Sequence, residues 1–252
     1  MKNKERLDIL VVQKGLAKSR ERARAMIMAG RVLVNNTPKD KAGSKIDKNA
    51  VITIKGEDIP FVSRGGLKLD HAINTIPVDA TDLTCIDIGA STGGFTDCLL
   101  KHGAKKVYAV DVGYGQLAWS LRQDKRVVVI ERTNIRYMDF DIIGEKADLI
   151  TVDTSFISLK LVIPAAEKFM KKESLILALI KPQFEAGRNR IGKGGVVRDP
   201  VIRQDIVDEI KLFFKTRGYD TGKVIQSPVA GPKGNIEFII SLRYQGNICN
   251  KI

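Results

Sequence analysis

Residues 85–94 read Cys-Ile-Asp-Ile-Gly-Ala-Ser-Thr-Gly-Gly, CIDIGASTGG. An apolar-rich run (Cys85, Ile86, Asp87, Ile88) stops at Gly89, and Gly93 and Gly94 open a helical pattern. A buried strand that turns through glycines into a helix lets a ligand approach backbone amides at a helix N-terminus. A side chain at Gly93 or Gly94 would block that approach. About twenty residues on, VYAVDVG ends a second apolar strand with Asp111, placed where an acid takes ribose hydroxyls. Together the two stretches predict a site for a nucleotide-type cofactor.

Two look-alikes fail on their own chemistry. Ser91 replaces the middle glycine of a G-x-G-x-x-G dinucleotide fingerprint, which weakens that reading. Gly89, Ser91 and Gly93 also spell G-x-S-x-G, the nucleophile elbow of hydrolases, which needs a histidine late in the chain after an acid on another strand. The only histidine beyond Ser91 is His102, at the end of the same helix. D-x-G-x-x-x-G-G followed by an acid-tipped strand resembles instead the S-adenosylmethionine-dependent methyltransferases. That resemblance implies Gly89, Ala90, Ser91 and Gly93 around the methionine part of the cofactor, Asp111 at the ribose, and Asn134, in ERTNIR after the third strand, near the adenine.

From Leu83 onward strand and helix patterns alternate. Strands fit 84–88, 106–111, 127–131, 148–152 and 175–180, and helices fit 94–102, 116–122, 159–170 and 200–217. This predicts an α/β doubly wound, mostly parallel sheet. The tail, GKVIQSPVAGPKGNIEFIISLRY, holds two strands joined by a Gly/Pro turn with no helix between them, so the last of seven strands is expected to enter antiparallel, as in Rossmann-like methyltransferases. Loops at the carboxyl ends of the strands then carry the chemistry. Asp153 follows the fourth strand, Lys181 the fifth, and Glu237 opens the last, with Lys68 able to join from the helix LKLDHAIN. A lysine snorkelling on a helix surface is the alternative for Lys68, and periodicity does not choose between the two.

The chain has 252 residues and a net charge of +13, which points to a polyanion, nucleic acid before anionic membrane. Residues 1–60 concentrate it, with 14 Lys/Arg against 7 Asp/Glu. There, residues 5–15 place Leu7, Leu10 and Val11 at helical spacing up to Gly15. Ser19 caps a second helix ending at Gly30, with an apolar face of Ala23, Met26 and Ile27 and a basic stripe of Arg20 and Arg24, followed by Arg31. RVLVNNTPK is a strand and tight turn. LAKSRERARAMIMAGRVLVNN resembles the S-four-type RNA-binding domain, which implies binding of structured RNA through phosphates, with a short sheet from 32–34 and 51–54. PFVSRGG (60–66) reads as a linker, with Arg64 placed to touch a phosphate. Gly187–Pro200, GRNRIGKGGVVRDP, comes within one residue of a P-loop, but Gly194 stands where the Mg²⁺-binding hydroxyl belongs and the next helix begins only near Asp199-Pro200. A flexible basic loop, holding RNA phosphates or closing over the nucleotide, is the better reading.

Cys85, Cys98 and Cys249 show no paired spacing, and two histidines form no ligand cluster, so a reducing cytoplasm and no metal are expected. The charged start MKNKERLD lacks the apolar core of a signal peptide, and no apolar run reaches membrane-spanning length.

Basic module, SRGGLKL, DIGASTGGFTDCLL, AVDVGYGQL, ERTNIR, DTSFISL, IKPQFE and GNIEF occur in the order of the TlyA family, and the chain resembles that family over nearly its whole length. The resemblance implies an S-four-type RNA-binding domain at 1–59, the linker at 60–66, and an FtsJ-like methyltransferase domain at 67–252. It further implies S-adenosylmethionine-dependent methylation of a cytidine ribose 2′-hydroxyl in ribosomal RNA, with a Lys-Asp-Lys-Glu tetrad of Lys68, Asp153, Lys181 and Glu237. Lys181 would accept or stabilise the hydroxyl proton. Lys68 would favour its neutral form, while Asp153 and Glu237 orient the amines and oppose that effect. The ribosomal RNA or subunit is the implied partner, through Arg20, Arg24, Arg31 and Arg64. The short tail GNICNKI leans towards large-subunit RNA alone. An RNA-binding assembly factor without activity and a membrane-active haemolysin are the competing classes, and the second lacks the amphipathic or spanning segment that it needs.

Overall fold

The computed structural model describes residues 3–28, 30–55, 59–187, 190–192 and 194–246. Cys249, the GNICNKI tail from Asn247 on, and Arg188, Asn189 and Lys193 of the basic loop lie outside the described residues. The chain divides into two compact units, 1–63 and 64–252.

The first unit runs β1 (Lys4–Arg6), α1 (Leu7–Gln13), α2 (Arg20–Met28), β2 (Val32–Val34), β3 (Thr37–Lys39), β4 (Lys45–Asp47) and β5 (Ile52–Ile54). Ser19 Oγ accepts the Arg22 amide at 3.1 Å, so the expected cap starts α2. Leu7, Leu10 and Val11 of α1 meet Ala23, Met26 and Ile27 of α2 over Val32, Val34 and Ile52, a small core between two helices and a sheet ordered β3-β2-β5. Asn35 and Asn36 both have positive φ, 48° and 62°, which is the geometry of a two-residue hairpin that keeps the twist of its strands. The pairing of β1 with β4 is invisible in the sequence, and it moves the start of α1 from Glu5 to Leu7. Three-residue strands leave too few alternations to read.

The second unit continues α3 (Gly65–Thr75), β6 (Thr84–Ile88), α4 (Gly94–Lys101), β7 (Lys106–Val110), α5 (Trp119–Arg122), β8 (Val127–Ile130), β9 (Ala147–Val152), α6 (Leu159–Ala166), β10 (Met170–Ile180), α7 (Pro182–Glu185), α8 (Pro200–Thr216), β11 (Asp220–Gln226) and β12 (Phe238–Arg243). Seven strands form one sheet in the order β11-β12-β10-β9-β6-β7-β8. Pairings from β10 through β8 are parallel, and β12 lies antiparallel to both of its neighbours, as the tail predicts. The sheet core gathers Ile86, Ile88, Ile150, Val152, Ile176 and Ile180 with Val162 and Ile163 of α6 and Ile206, Ile210 and Phe214 of α8. Three expected elements differ from the sequence reading. α5 begins at Trp119 rather than at 116. α6 ends at Ala166, in the turn after Pro164, and passes into a single 3-10 turn, Glu167–Phe169. β10 begins at Met170 through an irregularity in its pairing with β9 before Leu175.

Candidate active site

Chain order reverses between β6 and β9, and such a switch point opens a crevice at the carboxyl ends of the strands. A cleft of about 550 Å³ lies there, walled by Gly89, Ser91, Asp111, Asn134 and Asp153 among others. Ala90 and Gly93 are not on its wall. A Cβ on Gly93 would run into the side chains of Leu117 and Leu121, so that glycine makes room for neighbouring side chains rather than for a ligand. Gly89 is the close approach: it has φ +86°, and a Cβ there would stand 2.7 Å from the Asp153 carbonyl oxygen. Its lack of a side chain brings the tips of β6 and β9 together beneath the cleft.

The loop's amides are not bare. Gly89 and Ala90 N–H donate to the Val110 carbonyl at 2.8 and 3.2 Å, and Gly93 N–H donates to the Ala90 carbonyl at 2.7 Å. Ser91 N–H donates to Asp111 Oδ2 at 2.8 Å, while Asp111 Oδ1 accepts from Gly113 N–H at 2.6 Å. The acid on β7 therefore fastens the glycine loop, and each oxygen keeps a lone pair for a hydroxyl donor. Beneath the loop, fully buried Asp87 accepts from Thr96 Oγ1 at 2.7 Å and Thr151 Oγ1 at 3.0 Å. Burial pushes its carboxyl up to about 6, against the pull of those hydroxyls. Asn134 Oδ1 accepts the Arg136 amide at 3.1 Å at the other end of the cleft.

Lys68, Asp153, Lys181 and Glu237 form two ion pairs. Lys68 Nζ lies 2.6 Å from Glu237 Oε2, and Lys181 Nζ lies 2.5 Å from Asp153 Oδ1 and 3.1 Å from Ser155 Oγ. Lys68 is buried and paired rather than snorkelling. Asp153 is both cleft wall and partner of Lys181, so this pair borders the cleft. Two amines, each oriented by a carboxylate and largely removed from water, are placed to hold and move a proton beside the cleft.

Several neighbours were not evident from the sequence. Gln183 Nε2 donates to Glu237 Oε1 at 3.3 Å and links the two ion pairs through Lys181-Pro182-Gln183. Gly231 leaves room for the Glu237 carboxylate, which a Cβ would strike, and its N–H donates to the Asn235 carbonyl at 2.8 Å. Asn235 in turn accepts the Val197 amide and donates to the Gly195 carbonyl, tying the basic loop to the turn before Glu237. Phe156 is exposed, with φ 64°, and its ring lies 4.8 Å from that of Phe184. Only the glycine turn before GNIEF carried any local signal. Asp70, Cys98 and His102 bring metal-ligand atoms within 4.8 Å of one another, and His102 Nε2 and Asp70 Oδ1, 2.8 Å apart, tie α4 to α3.

The candidate RNA-contacting arginines differ in freedom. Arg20 Nε lies 2.9 Å from Asp8 Oδ2, and Arg6 Nε is as close to Asp8 Oδ1. The guanidiniums, Arg6 foremost, hold this buried carboxyl down to about 2. Arg31 Nε donates to the Lys55 carbonyl, whereas Arg24 on α2 and Arg64 at the start of α3 are exposed.

A seven-stranded sheet with its last strand antiparallel, a glycine loop after its first strand and an acid at the tip of the next is the architecture of a Rossmann-like methyltransferase. The pattern of FtsJ-like methyltransferases matches residues 61–244, and that of S4 domains residues 5–52. A Bacillus subtilis protein, YqxC, provisionally named an rRNA methyltransferase, is 50% identical over 244 residues, covering 96% of this chain and 87% of that protein. The 16S/23S rRNA (cytidine-2′-O)-methyltransferase TlyA of Mycobacterium tuberculosis is 43% identical over 246 residues, covering 97% and 92%. A solved structure from Streptococcus thermophilus, provisionally named a hemolysin, aligns with a TM-score of 0.77 at 43% identity, covering 100% of this chain and 92% of that one. The chain belongs to the TlyA family of FtsJ-like methyltransferases. Among the described residues no helix is long and apolar enough to cross a membrane.

Proposed function

We propose that the chain methylates a cytidine ribose 2′-hydroxyl of ribosomal RNA, large-subunit RNA first among the substrates to test, using S-adenosylmethionine. The observation that carries this reading is the Lys181–Asp153 pair on the wall of the cleft, with Lys68–Glu237 joined to it through Gln183. The cleft suits the cofactor: its volume is in the range of small-molecule sites, Gly89 lets the ends of β6 and β9 close its floor, and Asp111 keeps acceptor capacity for ribose hydroxyls. Gly89 and Ser91 would border the methionine part, Asp111 the ribose and Asn134 the adenine. When bound, S-adenosylmethionine supplies an already activated sulfonium methyl.

The chain's own task is then to align and deprotonate a hydroxyl that is a poor nucleophile while its proton remains. Lys181 takes or stabilises that proton, and Asp153 and Ser155 aim its amine. Lys68 and Glu237 close the charge balance behind it. The S4 domain binds the same RNA through phosphates, Arg24 being exposed on it for the purpose, and Arg64 offers a second exposed cation at the start of α3.

Single-turnover methylation of purified ribosomal subunits and of both rRNAs, with the modified position mapped, tests this. Lys181→Ala is expected to lower the rate by on the order of a hundredfold or more, the scale for losing a positioned acid–base group. Cofactor and RNA binding should persist. Wild-type protein inactive on every ribosomal RNA would leave an RNA-binding assembly factor as the better account.

A further inference from the structure

Among the described residues only two buried side-chain polar atoms have no hydrogen-bond partner, Thr154 Oγ1 and Gln183 Oε1. Proteins keep few such atoms, because an acceptor removed from water and left unpaired is costly. These two flank the Lys181–Asp153 pair: Thr154 follows Asp153 and is on the cleft wall, and Gln183 follows Lys181 by two residues. Gln183 is 9% exposed.

The orientation of its amide is determined by Glu237. A carboxylate accepts only, so the Gln183 nitrogen must face Glu237 Oε1, at 3.3 Å, and the oxygen must point elsewhere. Lys68 Nζ is held by Glu237, and Lys181 Nζ by Asp153 and Ser155. Next in the chain, Phe184 turns its ring to the exposed Phe156. Gln183 thus bonds one ion pair directly, lies two residues from the lysine of the other, and keeps its own oxygen unpaired.

We propose that Gln183 reads the substrate: Nε2 holds Glu237 against Lys68, and Oε1 accepts a hydrogen bond from an O–H or N–H donor of the target nucleotide. This rests on the RNA ribose methyltransferase reading above. The donor is either the ribose hydroxyl or the exocyclic amine of the base, both of which offer a proton to a neutral acceptor. Gln183 is therefore a specificity and positioning group, separate from the lysine that handles the proton.

The test compares wild type with Gln183→Met, which keeps the side chain's length and removes both polar functions. Single-turnover rates are read on RNA carrying the mapped target nucleotide, and binding is read on the same RNA with that nucleotide either 2′-deoxy or lacking its exocyclic amine. Gln183→Met is expected to turn over about tenfold or more slowly at saturating RNA, with affinity for S-adenosylhomocysteine within about twofold of wild type. Removing the true donor should weaken wild-type binding several-fold and leave the variant's binding almost unchanged. Loss with the deoxy target names the ribose, and loss with the amine-free target names the base. If Gln183→Met does not fold, Gln183→Glu carries the test. It retains an acceptor oxygen, so it should keep the nucleotide coupling, and its rate relative to wild type should rise as pH falls and protonation restores the donor to Glu237. Turnover by Gln183→Met at the wild-type rate, or equal response of variant and wild type to both nucleotide changes, would overturn the proposal while leaving methylation intact. A wild type inactive on every ribosomal RNA would remove the function and this inference together.

Discussion

Gly89 and Gly93 look alike in the sequence and do different work. At Gly89 the would-be Cβ faces the Asp153 backbone, and at Gly93 it faces Leu117 and Leu121. Both have φ near +90°, where a side chain is strained. Gly89→Ala must push β6 from β9 at the cleft floor, so cofactor affinity should fall by about tenfold or more with a modest drop in melting temperature. Calorimetric titration beside a thermal melt checks this, and unchanged affinity would mean the glycine loop does not form the cofactor site. Gly93→Val displaces two leucines and should act mainly on stability, at about 1–3 kcal/mol. The pattern alone suggested that a side chain at Gly93 blocks a ligand; in the structure it first meets Leu117 and Leu121. No local signal separates the two glycines, because what each faces comes from another part of the chain.

At the scale of the element, α2 was legible: its cap, its apolar spacing and its basic stripe all lie within one short stretch. What its arginines touch was not, because Asp8 reaches Arg20 from α1, 12 residues earlier. Arg20→Ala therefore disturbs a buried carboxylate as well as any RNA contact, and Arg24→Ala is the cleaner probe. Arg24→Ala should weaken RNA binding and reduce the slope of log affinity against log salt by about one, with the melting temperature unchanged. Fluorescence anisotropy across a salt series measures the slope, and an unaltered slope would make Arg24 a solvated surface group.

At the scale of the molecule the two units should answer pH in opposite senses. Asp8 is held down to about 2 in the folded first unit, below its unfolded value near 4. Its stabilisation is complete above about pH 4 and is lost as pH falls towards 2, on the order of 1 kcal/mol once screening at half-exposed arginines is allowed for. Asp87 is pushed up to about 6 in the folded second unit. The unfolded chain releases that proton first, so stability is highest below about pH 4 and declines as pH rises through 6, by about 3 kcal/mol at most. Asp87→Asn should flatten that decline, and Asp8→Asn should flatten the acid limb of the first unit. Hydrogen exchange resolved by unit, from about pH 2 to about pH 7, follows both. Identical pH slopes in wild type and Asp87→Asn would show that the buried carboxyl is not the titrating group.

The sequence by itself determined the alternation of strands and helices, the glycine turn after β6, the acid that ends β7, and, Lys68 aside, which only the family resemblance marked, three rim residues taken singly, Asp153, Lys181 and Glu237. Each is a local matter, settled by periodicity, turn chemistry and position at a strand end. Only the tertiary structure decided which acid meets which lysine. Lys68 and Glu237 are 169 residues apart, and they meet because β12 enters antiparallel beside β10 and carries Glu237 to the rim. The parallel pairing of β6 with β7 likewise brings Val110 and Asp111 to the loop amides, and the turn before β12 seats the Glu237 carboxylate over Gly231. Periodicity reports the face on which a residue lies, and hydrogen bonds across the sheet depend on what the rest of the chain brings to that face.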